Sequence, residues 1–173
     1  MKLQVTIIFL LLSVGVSAQT LFIKKSIDPK MTLQGPGHSY ELESSYNPEF
    51  MIGVEKEKIR FGVGAEYHNA IGYTKMFGEV AKRVTAGRFD FYGGVELGII
   101  WRRFDKPLVN YPISVKTMSS SWTFGINGEV QFKIIDGLHL SVSSRVFKTE
   151  GGLSEKKEWL RFHSMVGVVV KGN

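Results

Sequence analysis

The chain has 173 residues, a formal net charge of +6, 43% hydrophobic and 12% aromatic residues, nineteen glycines and no cysteine. That length builds one domain with a real core and is short for two. The lack of cysteine excludes a disulfide framework, a thiol nucleophile, a cysteine-ligated metal and a lipid-modified N-terminal cysteine.

Lys2 precedes an apolar run from Val5 to Leu12, and Ser13 to Ala18 end in Val-Ser-Ala before Gln19-Thr20. A charged start, a short apolar stretch and small residues are the marks of a secretory signal peptide over residues 1–18, cleaved after Ala18. The run is too short for a transmembrane helix. A core helix at this place is the weaker alternative. Lys2 is the only charged residue removed, so the mature charge falls from +6 to +5. Lysines and arginines are scattered among glutamates, without the basic run of a nucleic-acid footprint. No nucleic-acid partner is expected; lipid headgroups and surface polysaccharide are the natural counter-charges. Residues 19–37, with Lys24, Lys25, Lys30 and Pro36, lack clear alternation and are expected to form a periplasmic extension.

Alternation of period two dominates from residue 38 onward, which predicts strands. Ser39 to Tyr46 sets Tyr40 and Leu42 against Glu41 and Glu43, and Glu49 to Glu55 places Phe50, Ile52 and Val54 on one side. Ile59 to Tyr67 opposes Phe61, Val63, Ala65 and Tyr67 to Arg60, Gly62, Gly64 and Glu66. Tyr73 to Arg83 is weaker, with Tyr73 and Phe77 out of phase. Arg88 to Arg102 is the clearest: Phe89, Phe91, Val95, Leu97, Ile99 and Trp101 alternate with Asp90, Tyr92, Glu96 and Arg102. Trp122 to Ile134, Leu138 to Phe147 and Leu160 to Val170 repeat the design. These make about eight strands, most of them long enough to cross a membrane at a tilt.

The connections expected are Asn47-Pro48, Glu55–Lys58, His68–Ala70, Val84–Gly87, Phe104 to about Ser119, Asp136-Gly137 and Thr149 to Lys157. Asp-Gly between alternating strands is a strong hairpin signal. The second, fourth and sixth connections are tight, whereas the fifth and seventh are long. Outer-membrane barrels show this parity, with short periplasmic turns and longer external loops.

Period two alone does not say which face looks inward. A soluble eight-stranded barrel of lipocalin type buries its apolar face, and a transmembrane barrel reverses that. Long apolar stripes with aromatic ends, and glycines beside charges on the opposite face, favour the membrane. The predicted fold is all-β: an antiparallel up-and-down transmembrane β-barrel of about eight strands, over residues 38–173. Its narrow lumen should be filled by paired charges, among them Glu96, Glu129, Arg102 and Arg145.

The segments Phe61-Gly-Val-Gly-Ala-Glu-Tyr67 and Phe91-Tyr-Gly-Gly-Val-Glu-Leu-Gly98, with Ser-Ala followed by Gln at the cleavage point, resemble the small outer-membrane β-barrel family of Bacteroidetes-type bacteria. The resemblance covers about residues 38–173 and implies an outer-membrane location without a specific activity. The partners expected of such a barrel are outer-membrane lipid and lipopolysaccharide and the barrel-insertion machinery; loop 104–119, with Lys106, Lys116, Tyr111 and two prolines, is either a contact for a surface polysaccharide or protein or a plain solvated loop. One departure is the ending Val170-Lys171-Gly172-Asn173, where many such barrels finish on an aromatic residue.

Three places are candidates for chemistry. His139-Leu140-Ser141 has the His-x-Ser spacing of lipid A deacylases, and residues two apart share a strand face. Both, however, fall on the predicted lumen side beside the Asp136-Gly137 turn, far from outer-leaflet lipid. His38 and His163 have no metal-ligand spacing. Gly62-Val63-Gly64 lies mid-strand with no following helix, so it is no nucleotide loop. The sequence is read as a non-enzymatic barrel with no catalytic, cofactor or metal site. A deacylase-like enzyme, a lipocalin-like binder and a small pore are the alternatives.

Overall fold

Strands that alternate apolar and charged residues must bury one set, and closing the sheet on itself does this without leaving an edge. A computed structural model of the protein describes residues 19–29, 47–68, 73–107, 114–149 and 160–172. They form a closed antiparallel barrel of eight strands in chain order. These are β1 (Thr20–Ile27), β2 (Pro48–Lys56), β3 (Ile59–His68), β4 (Tyr73–Ala86), β5 (Phe89–Pro107), β6 (Ser114–Ile135), β7 (Leu138–Thr149) and β8 (Leu160–Gly172). β1 closes the ring by pairing with both β2 and β8.

The register fixes how far the strands lean. From Phe89 on β5 the ladder steps through Phe132, Leu140, Val168, Lys25, Phe50, Ala65 and Met76. It returns to β5 at Ile99, ten residues beyond where it began. Eight strands with that stagger tilt by about 40°. Two-residue turns close one end at Glu57-Lys58, Gly87-Arg88 and Asp136-Gly137. Each contains a residue with positive φ: Glu57 at 54°, Gly87 at 63° and Gly137 at 79°.

The sidedness is that of a membrane barrel. Phe61, Val63, Val95, Leu97, Trp122, Phe124 and Val142 point outward and are exposed, whereas Lys24, Glu49, Arg60, Glu66, Lys75, Glu96, Glu129 and Arg145 point inward and are buried. A lipocalin-type barrel would have the opposite distribution. Phe89 and Phe91 mark the tight-turn end of the outer surface, with Phe89 against Phe132 at 5.1 Å. Twelve residues along β5, Trp101 marks the other end, next to Trp122 on β6. With the tilt, the two aromatic girdles lie about 30 Å apart, the height of a hydrocarbon core.

Two expectations are corrected. Thr20–Ile27 is not part of an extension but the first strand of the wall. Its signal was hidden because a lysine lies on each face: Lys24 is buried inside, beside buried Phe22, while Lys25 points out with Leu21 and Ile23. The strand expected at Ser39–Tyr46 lies outside the described residues. Pro48, expected in a turn, begins β2. The second correction concerns Phe104 to Ser119, expected as a loop. β5 and β6 run on as a paired ribbon to Pro107↔Ser114. The sequence from Phe104 to Ser119 carries no period-two alternation.

Phe77, out of phase in the sequence, is a lumen residue buried under cations. Room for large groups inside comes from backbone without side chains. Gly53 pairs with Gly62, and a Cβ on Gly53 would lie 2.0 Å from the Phe61 carbonyl and 2.7 Å from the Phe22 ring. Gly53→Ala is expected to cost about 1–3 kcal/mol through forced backbone shifts. Urea unfolding of the variant in detergent checks this, and an unchanged midpoint would mean the wall yields freely there.

Candidate functional site: a plugged lumen and a projecting hairpin

Two layers of ion pairs fill the lumen. In the layer nearer the tight turns, Arg60 donates from Nε to Glu79 Oε1 at 2.9 Å and from Nη2 to Glu129 Oε2 at 2.9 Å. Its guanidinium lies 4.1 Å from the centre of the Tyr92 ring and 5.4 Å from that of Phe22. Gln131 Nε2 donates to the other Glu129 oxygen at 2.6 Å. The layer above is built on Arg145, whose Nη2 meets Glu49 Oε2 at 2.5 Å and whose Nη1 lies 3.5 Å from Glu96 and 3.8 Å from Glu66. Lys75 pairs with Glu96, its ammonium 4.0 Å from the Phe147 ring centre. His163 Nδ1 sits 3.0 Å from Glu66 Oε1. Lys24 links the layers, reaching Glu129 at 2.9 Å, Glu49 at 3.6 Å and the Ser143 hydroxyl at 3.3 Å.

Of the lumen residues expected to pair, Glu96, Glu129 and Arg145 all do; the side chain of Arg102 lies outside the described residues. Arg60, Glu66, Lys75 and Gln131 are fully inaccessible, so this part of the lumen is occupied by side chains. Nothing in the run Lys24-Lys25 distinguishes which of the two joins them. Lys24, Arg60 and Arg145 each meet a carboxylate from a non-neighbouring strand, which only closure brings within reach, whereas Lys75 pairs with the adjacent β5.

His139 and Ser141 both face inward and are buried, on the turn side of the lumen. They form no dyad: Ser141 Oγ and His139 Nδ1 each lack a hydrogen-bond partner. The nearest acid to His139 Nε2 is Asp90, at 4.0 Å.

At the opposite end from the tight turns, the wall is very uneven. β5 has 19 residues and β6 has 22, against eight for β1. Beyond Trp101 and Trp122 their ladder continues from Arg102↔Ser119 to Pro107↔Ser114. Six more residues per strand carry the ribbon about 20 Å along its axis past the girdle.

An apolar belt between aromatic girdles around a charged, plugged interior defines a small eight-stranded β-barrel of the outer-membrane type. Solved structures with this fold include Neisserial surface protein A (NspA), at 16% identity and a TM-score of 0.64, covering 91% of this chain and 99% of that one. The N-terminal β-barrel domain of Pseudomonas aeruginosa OprF matches at 7% identity and 0.56, covering 88% and 97%. Outer membrane protein H (OprH) from P. aeruginosa matches at 11% and 0.56, covering 90% and 100%. No protein-family model matches the sequence, and neither does any curated protein. At such identities the likeness is one of fold.

Proposed function

We propose that the chain is a non-enzymatic integral outer-membrane protein that meets its partner through the projecting β5–β6 ribbon, and that the partner is an anionic surface polysaccharide. The observation that carries this reading is the ribbon itself. It stands clear of the lipid belt, on the end away from the tight turns, which is the external end in barrels with short periplasmic turns. Its sequence from Arg102 to Ser119 holds Arg102, Arg103, Lys106 and Lys116 against Asp105 alone. Residues 1–18 act as the export signal in this reading. The motif likeness to barrels of Bacteroidetes-type bacteria fits the same location. The plugged lumen speaks for a wall rather than a pore, and the unjoined His139 and Ser141 speak against hydrolysis.

Dextran sulfate serves as the probe. Replacing residues 102–119 with an Asn-Gly turn, between the paired Trp101 and Ser120, should leave the barrel folded and move its elution from a dextran sulfate column to clearly lower salt, since a screened charge attraction has been removed. Elution at unchanged salt would overturn the reading.

A further inference from the structure

The tight-turn end carries a cavity of about 540 Å³, and its lining differs from the paired lumen above it. Arg88, Lys133, Lys171 and His139 line it together with Asp90 and Asp136. Arg83 also lines it but is tied to Glu55 at 3.0 Å and to the Glu57 carbonyl at 2.8 Å. The two acids are already engaged. Asp90 accepts from Thr85 at 2.6 Å and from Lys171 at 3.3 Å. Asp136 meets Lys133 only in an exposed pair, a weak hold.

Two donors are left over. No carboxylate pairs with Arg88 among the described residues; its guanidinium rests 5.7 Å from the centre of the Phe132 ring. His139 is only 6% exposed, yet its Nδ1 has no partner. Arg88 and Lys133 are held side by side, because the Lys133 amide donates to the Arg88 carbonyl at 2.9 Å. Phe132 itself packs on lipid-facing Phe89. Arg88 therefore spans from the aromatic girdle, where acyl chains end, to the cavity rim.

We infer that this mouth is a phosphate-binding site, with Arg88 and Lys133 as the primary cations and Lys171 and His139 deeper. An arginine fork matches phosphate oxygens two at a time, and a neighbouring ammonium adds a point charge. The reach of Arg88 from the Phe132 ring to the cavity makes a phospholipid headgroup one source of that phosphate; a soluble phosphorylated compound is the other. This site lies at the end opposite the ribbon and does not depend on the role proposed there.

The test uses the whole protein in phosphatidylcholine nanodiscs doped with phosphatidylglycerol, with retained lipid counted by native mass spectrometry. Arg88→Gln/Lys133→Gln should lose phosphatidylglycerol by roughly 30-fold, about fivefold per cation. Lys25→Gln, on the lipid-facing wall, should lose none. In a second arm, inorganic phosphate is titrated onto the detergent-solubilised protein. Retention of phosphatidylglycerol that the double variant abolishes assigns the headgroup as source. Binding of inorganic phosphate alone, abolished by the same variant, assigns a soluble source. If the double variant matches the parent in both arms while still heat-modifiable, the inference is wrong.

Discussion

Glu129→Ala should destabilise the barrel by about 3–5 kcal/mol, as expected when one member of a buried ion cluster is deleted. Glu129 accepts from Lys24 and Arg60, each at 2.9 Å, and from Gln131 at 2.6 Å. Removing it leaves Arg60 with Glu79 alone and Lys24 with Glu49 at 3.6 Å, so both cations lose a contact at 2.9 Å. Water does not replace it readily, because both cations are inaccessible. Glu129→Gln, with the same shape and one acceptor oxygen kept, should cost less. Equilibrium urea unfolding in detergent separates the two. A Glu129→Ala loss under about 0.5 kcal/mol would mean that the lumen readily rearranges its pairs or admits water.

The second large effect lies one atom layer outward. Val95 stands midway between Phe89 and Trp101 on β5 and is 47% exposed on the outer face. Val95→Arg should cost about 2–4 kcal/mol, as for an arginine at a bilayer midplane on a barrel wall. Cysteines placed singly on this cysteine-free chain check the geometry independently. Labels at 95 and 97 should be quenched by a lipid-borne quencher, and labels at 96 and 98 should not. Quenching at 96 and 98 instead would invert the barrel and end the membrane assignment.

Most of the wall was legible because a strand pressed between hydrocarbon and a packed interior must alternate, and β3, β5, β6, β7 and β8 do. Where that pressure is absent or masked, the pattern fails. β1 carries Lys24 and Lys25 in succession, one inside and one out, so charge no longer tells the faces apart. Lys25 is tolerable there because a long apolar stem can lead its ammonium toward the interface. Phe77 broke the phase of β4 because cations need aromatic faces inside: it lies 4.9 Å from Lys75 and 4.8 Å from Arg145. The part of β5 and β6 beyond Trp101 and Trp122 carries no such alternation in its sequence. At the mouth, Arg88 and Lys133 lie far apart in sequence, and only the pairing of neighbouring hairpins sets them together.

The seam between β1 and β8 bears on how the molecule comes into being. Its seven matched positions, Leu21↔Gly172 to Ile27↔Val166, join residues 139 to 151 positions apart in sequence. Contacts of such separation form late, after the intervening loops have lost their freedom. A partly synthesised chain that still lacks β8 cannot make this seam. Until then both edges offer unpaired amides and carbonyls to any neighbouring strand. Closure therefore waits for β8, and the chain must be kept extended and apart from its copies until β1 and β8 meet.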